Sequence, residues 1–262
     1  MNSAQKKSRL FGLPIDNLTM SEAVAEIENL IRKSGNSLVF TPNTQHISLL
    51  ARRPEFRDAY AAADLVLPDS VPLIWSSRLL GCPLRERVAG ADIPAALSKV
   101  AALKGYGLFF LGAAPGVAGQ AAEILARQNP GLRIAGVYSP PPGFERRPEL
   151  DDEAVRRIRA ARPDVLLVAL GTPKGELWAW RHRAAAGVPV TICCGAALDF
   201  IAGNKRRAAR PIQKLGLEWL YRVLHEPRRL WKRYLVGNSH FILLLAKELV
   251  RKNRRSVIDQ GR

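Results

Sequence analysis

From Leu10 to Gly203 the chain alternates short apolar or β-branched runs with longer stretches whose apolar residues recur every three or four positions. A period of two marks strands and a period of 3.6 marks helices, so this alternation predicts a mostly parallel sheet with helices on both faces. Strands are expected at "SLVFTPN", "LVLPD", "YGLFFLGA", "RIAGVY", "DVLLVALGT" and "VPVTICCGA". Thr19 and Glu22 form a T-x-x-E capping box opening "SEAVAEIENLIRK", with Val24, Ile27 and Ile31 on one helical face. "SPPPGFERRPEL" reads as a long Pro-rich loop, a lid or a surface connection.

After "LDFIAG" the strand pattern stops, and "PIQKLGLEWLYRVLHE", "PRRLWKRYLVG" and "SHFILLLAKELVRKNRR" read as short helices punctuated by Pro and Gly. The fold class is therefore α/β, Rossmann-like, with a body over residues 1–203 and a helical C-terminal appendage over 204–262. Charge sharpens this division. Of 40 Lys and Arg residues in a chain of net charge +17, sixteen follow Gly203, against only Glu218, Glu226, Glu248 and Asp259. Such a balance attracts polyanions, whether nucleic acid, an anionic lipid surface or a phosphorylated substrate. Leu217, Leu220, Tyr221 and Leu224 form one apolar face beside these cations, and Phe241 and Leu244 an apolar patch beyond them, as in a helix that docks on a body or a bilayer.

No apolar run reaches signal-peptide or spanning length, so a cytosolic location is expected. Cys82, Cys193 and Cys194 have neither a disulfide framework nor metal-ligand spacing with the four histidines, and read as reduced and buried.

In a parallel α/β sheet the ligand lies outside the carboxyl ends of the strands, where "FTPNTQH", "VLPDSVP", "FFLGAAPGVAG" and "ALGTPKGE" collect polar residues and glycines. Asp69 reads either as a helix N-cap or as a general base beside Thr41 and Asn43. "LGAAPGVAG", with Gly112, offers backbone N–H groups to phosphate but departs from G-x-G-x-x-G, so a plain tight turn stands beside the ligand loop. "GTPKGE" contributes Gly171, Thr172, Pro173, Lys174 and Glu176, as a phosphate contact or as a Pro-initiated first helical turn with surface charges. Gly195 and Asp199 in "GAALDFIAG" complete the candidates, Asp199 as a structural or substrate-positioning residue. The chain lacks D-x-D, H-E-x-x-H, P-loop and G-x-S-x-G motifs, so a diphosphate handled here is neutralised by Lys, Arg and backbone dipoles, with no metal and no cofactor.

In this order, "TPNTQH", "ADLVLPDSVPLIWSSRLLG", "RVAGADI", "LFFLGAAPGVA", "LGTPKGELW", "GAALDFIAG" and "GLEWLYRVLHEPRRLWKRYL" resemble the WecG/TagA/CpsF family of bacterial glycosyltransferases over nearly the whole chain. The resemblance implies an inverting, metal-independent enzyme, peripheral on the inner face of the plasma membrane. It would move a sugar from a UDP-sugar to a polyprenyl-diphosphate-linked sugar in cell-surface or exopolysaccharide biosynthesis. N-acetylmannosamine is the frequent donor sugar of the family, with glucose in exopolysaccharide pathways. Asp69 matches the proposed base, Thr41 and Asn43 its neighbours, and Arg222, Arg229, Lys232 and Arg233 the cations expected at the donor diphosphate. Ser70 replaces a usual Gly and Gly175 a common Gln. Self-association is a further candidate. A basic nucleic-acid-binding protein is the rival of a different class, and the body carries no recognised nucleic-acid motif to support it.

Overall fold

The computed structural model describes residues 7–225 and 227–260, without the side chains of residues 214, 222, 228–236 and 254–260. The chain opens on an antiparallel hairpin that the hydrophobic pattern did not reveal, β1 (Lys7–Leu10) and β2 (Leu13–Asp16). Its two-residue turn places both Phe11 (φ 52°) and Gly12 (φ 79°) in the left-handed region, the twist that suits a tight hairpin. Leu10, Leu13 and Ile15 are buried. Helix α1 (Met20–Lys33) starts at the expected box: Glu22 N donates to Thr19 Oγ1 at 3.3 Å, and Thr19 N donates back to the Glu22 carboxylate at 2.8 Å.

All six expected strands form, as β3 (Ser37–Phe40), β4 (Leu65–Val66), β5 (Gly107–Gly112), β6 (Arg133–Tyr138), β7 (Val165–Ala169) and β8 (Val190–Cys193). They make one sheet in the order β4-β3-β8-β7-β5-β6, with every pair parallel. Residues alternate across it. Leu38, Phe40, Phe109, Leu111, Leu166 and Val168 face one core, while Val39, Leu108, Phe110, Leu167 and Ile192 face the other. The first core is closed by the hairpin and by α2 (Thr44–Leu50), α3 (Pro54–Ala61), α4 (Val71–Leu79), α7 (Pro148–Ala161) and α8 (Lys174–Ala186). The second lies under α1, α5 (Ile93–Lys104), α6 (Val117–Gln128) and α9 (Ala197–Ile201). The body is thus a Rossmann-like three-layer α/β unit.

Three expectations change. The Pro-rich loop is short, because Phe144 is buried against Trp178 at 6.2 Å, the turn Phe144–Arg146 is helical, and α7 begins at Pro148. In the appendage α10 (Arg210–Lys214) and α11 (Glu218–His225) are short, but α12 (Pro227–Gln260) runs unbroken through Gly237, where the sequence suggested a break. A helical glycine costs only about 1 kcal/mol, and tertiary contacts at this point outweigh it. Ser48 Oγ donates to the Gly237 carbonyl at 2.8 Å and Thr44 Oγ1 to Asn238 Oδ1 at 3.1 Å. One turn on, Phe241 is 5% exposed and meets Phe11 at 5.3 Å between ring centroids. Phe241 therefore belongs to the core and not to a surface patch, with Leu244 partly buried against the same cluster.

Candidate active site

A cavity of about 710 Å³ opens at the carboxyl ends of β3, β4, β7 and β8, where the sheet leaves its strand-end backbone free to carry side chains. Thr41 and Asn43 follow β3, Asp69 follows β4, Gly171 and Thr172 follow β7, and Gly195 and Asp199 follow β8; all line it. Trp219 and Ile242 of the appendage form part of the opposite wall.

Asp69 is fixed by its backbone, since its N–H donates to the Pro42 carbonyl at 2.9 Å and thereby ties the β4 end to the β3 end. It is not the cap of α4. Ser70 holds that position, without a capping bond, and its hydroxyl is buried without a partner. Burial pushes the Asp69 carboxyl up to about 7, a shift that Glu218 reinforces, while Arg87, the Gly90 N–H and Arg207 pull against it. A carboxyl poised near neutrality is suited to proton transfer.

Gly90 has a steric reason to lack a side chain. A Cβ there would collide with Thr41 Oγ1 and lie 3.4 Å from the Cys193 carbonyl, and the Gly90 N–H is the group that bonds Asp69.

The floor is a buried polar cluster. His46 Nε2 lies 3.0 Å from Glu176 Oε1, and Thr172 Oγ1 lies 3.0 Å from both. On its other side the ring meets Asn43 Oδ1 at 2.9 Å, and Asn43 in turn caps α2 by accepting from Gln45 N and His46 N. Burial raises the Glu176 carboxyl, but the hydrogen bond and charge of His46, with a backbone N–H and the Thr172 hydroxyl, together draw it below its usual value. Glu176, in the first turn of α8, is thus no surface charge. His46 links Asn43 to Glu176 and so makes two strand ends one rigid unit.

The rim carries the charge. Arg87 Nη1 donates to Glu218 Oε2 at 3.2 Å and Arg87 Nη2 to Gln213 Oε1 at 3.0 Å. Arg207 holds Asp92 with both of its terminal nitrogens, and its Nε lies 3.5 Å from Glu218 Oε1, a charge contact longer than its bonds to Asp92. Asp199 is paired with Lys205 at 3.6 Å.

Three expected residues stand outside the cavity wall. Gly112 (φ 101°) packs against β7, where a Cβ would come within 2.8 Å of the Ala169 carbonyl; Pro173 precedes α8; and Lys174 points to Glu145 at 3.5 Å. The side chains of Arg222, Arg229, Lys232 and Arg233 lie outside the described residues. Cys193 and Cys194 are buried and free, whereas Cys82 is partly exposed. Among the described residues, no group of three or more His, Cys, Asp or Glu is placed to hold a metal ion.

Sequence reasoning missed His46, Arg87, Gly90, Arg207 and Glu218. His46 sits three positions after Asn43 in "TPNTQH", Arg87 and Gly90 belong to "RVAGADI", and Glu218 opens "EWLYRVLHE"; membership of those motifs was their signal.

Comparison with known proteins identifies the family. The profile of the Glycosyl transferase WecG/TagA/CpsF family matches residues 8–255. An N-acetylglucosaminyldiphosphoundecaprenol N-acetyl-beta-D-mannosaminyltransferase of Bacillus spizizenii is 34% identical over 197 residues, 75% of this chain and 74% of the relative. A protein of the same name from Staphylococcus aureus is 27% identical over 252 residues, 95% of this chain and 94% of the relative. With a match spanning the body and the appendage alike, the chain belongs to the WecG/TagA/CpsF family of glycosyltransferases.

Proposed function

We propose that the chain transfers N-acetylmannosamine or a related hexose from a UDP-sugar to a sugar linked to polyprenyl diphosphate, with inversion and without a metal. The observation that carries this reading is Asp69, a carboxyl pushed to about 7 at the strand ends of a cavity whose rim holds Arg87 and Arg207. The relatives, named for an undecaprenyl-diphosphate acceptor, support the choice of acceptor class.

Asp69 takes the proton from the acceptor hydroxyl as its oxygen bonds to the anomeric carbon. The bond from that carbon to the UDP oxygen breaks, and its electron pair leaves with the diphosphate. Negative charge grows on the leaving group, and preorganised guanidiniums stabilise such charge without the cost of reorienting water. Arg87 and Arg207 stand on the rim for this, and Arg222, Arg229, Lys232 and Arg233 are proposed to join them. Thr41 and Asn43 position the sugars.

The appendage supports a membrane-borne acceptor. Leu215, Leu217, Leu220, Leu224 and Leu243 are exposed, at 61%, 40%, 39%, 71% and 60%, on the segments that also bring Trp219 and Ile242 to the cavity. Among the described residues, no helix is long and apolar enough to cross a membrane, so these side chains suit peripheral contact.

The test is transfer from UDP-N-acetylmannosamine to a short-chain prenyl-diphosphate N-acetylglucosamine acceptor, with and without EDTA. Product is expected in both arms. Activity lost to EDTA and restored by magnesium or manganese contradicts the metal-free reading, and absence of product across a panel of UDP-sugars contradicts the donor class.

A further inference from the structure

Arg87 and Arg207 raise a difficulty for any base beside them. A carboxylate next to a guanidinium loses roughly 1–3 units of pKa, which would leave Asp69 with little affinity for a proton near neutral pH. Burial of the carboxyl is the first answer to that difficulty, and a third residue on the rim adds to it. Glu218 turns one oxygen to each arginine, Oε2 to Arg87 at 3.2 Å and Oε1 to Arg207 at 3.5 Å, while Asp92 holds Arg207 from behind and lies 3.8 Å from Arg87. Arg87, Arg207 and Glu218 are only 20%, 20% and 21% exposed, so water screens their charges weakly.

The three come from different parts of the chain. Arg87 lies between α4 and α5, Arg207 between α9 and α10, and Glu218 in the first turn of α11. We propose that Glu218 is a positioning residue of the transfer reaction: by bridging Arg87 and Arg207 it neutralises them towards Asp69 and fixes the start of α11 over the base. Appendage docking and proton affinity at Asp69 are then one event. This rests on the reading of Asp69 as the base, and it assigns Glu218 no contact with substrate.

The groups around Asp69 are Arg87 and the Gly90 N–H from the α4–α5 connection, Arg207, Glu218, and the Tyr60 phenol from α3. Farther along the same cavity wall are the His46–Glu176 pair from α2 and α8 and the Asp199–Lys205 pair. Three acids, Asp69, Asp92 and Glu218, stand against two arginines, and removing the Glu218 charge leaves one acid fewer. Both consequences have one sign. Repulsion on the Asp69 carboxylate falls and the arginines are released towards it, so its proton is held less tightly.

The experiment is a carboxyl-carbon NMR titration of Asp69 in the full chain, run beside the pH dependence of kcat/KM. Wild type should titrate near 7. Glu218→Gln should lower the Asp69 midpoint by about one unit or more, and the acid limb of kcat/KM with it. Glu218→Asp, which keeps the charge, should stay near wild type, a rescue that loss of packing alone would not give. A midpoint that is unmoved or rises in Glu218→Gln overturns the inference. A midpoint that falls while transfer shows no corresponding limb upholds the tuning of Asp69 by Glu218 but removes Asp69 as the base, and with it the part of Glu218 in transfer, so the two ideas fail separately.

Discussion

On the floor of the cavity Thr41, His46 and Glu176 are 7%, 4% and 6% exposed and sit within a turn or two of a strand end, whereas on the facing wall Trp219 and Ile242 keep 36% and 62% of their surface. The floor is joined by short hydrogen bonds among Asn43, His46, Thr172 and Glu176. The wall offers apolar side chains on helices and meets the floor through an ionic rim. On the proposed function, the groups that must stand within a fraction of an ångström of a reacting atom are those carried by the rigid sheet. The surfaces that would receive a bulky lipid-linked substrate are those carried by helices with apolar area to spare. Phe241 of α12 crosses this division, buried in the body's core.

Substitutions break the comparison in order of expected size. Asp69→Asn should leave the protein folded and slow transfer roughly 100-fold or more, the usual loss for a general base. It should also raise the melting temperature above neutral pH. The folded state holds the Asp69 proton more tightly than the unfolded chain does, so ionising Asp69 costs stability increasingly from its ordinary value of 3.8 up to about 7, and Asn removes that cost. Melting curves at acid and alkaline pH check the sign: the variant should match wild type at the acid end and exceed it at the alkaline end.

Phe241→Ala should destabilise by about 3 kcal/mol, the cost of a cavity at a buried aromatic, read from the denaturant midpoint. The smallest effect on stability belongs to Leu243→Ser, within roughly 0.5 kcal/mol of wild type as at other exposed sites. This variant should nonetheless weaken binding to anionic liposomes while sparing transfer to a short-chain acceptor, because Leu243 lies outside the cavity wall. Neighbouring positions on α12 thereby separate anchoring to the body from contact with lipid.

The sheet was legible because its strands are short apolar runs bounded by turn residues, and α1 because its cap and apolar face are local. The hairpin and the unbroken α12 were not, since Phe11 packs on Phe241 and Gly237 is held by Ser48, partners far away along the chain. The site divides in the same way. Asp69, Thr41 and Asn43 follow strand patterns and were visible, but His46, Arg207 and Arg87 take their meaning from Glu176, Asp92 and Glu218, which lie 130, 115 and 131 residues away. Sequence pattern gives the position of a strand end and carries no record of which distant charge folds against it.

The central claim is that Asp69 is the base, raised to near neutrality by burial, with Glu218 offsetting part of the opposing pull of Arg87 and Arg207. The most direct measurement is kcat/KM for transfer against pH, for wild type and Asp69→Asn, over roughly pH 5.5 to 8.5. The account predicts a wild-type limb that rises about tenfold per unit below a midpoint near 7 and then levels, with the limb gone and the rate low throughout in Asp69→Asn. A wild-type profile that is flat across this range, or the same limb persisting in Asp69→Asn, would contradict it.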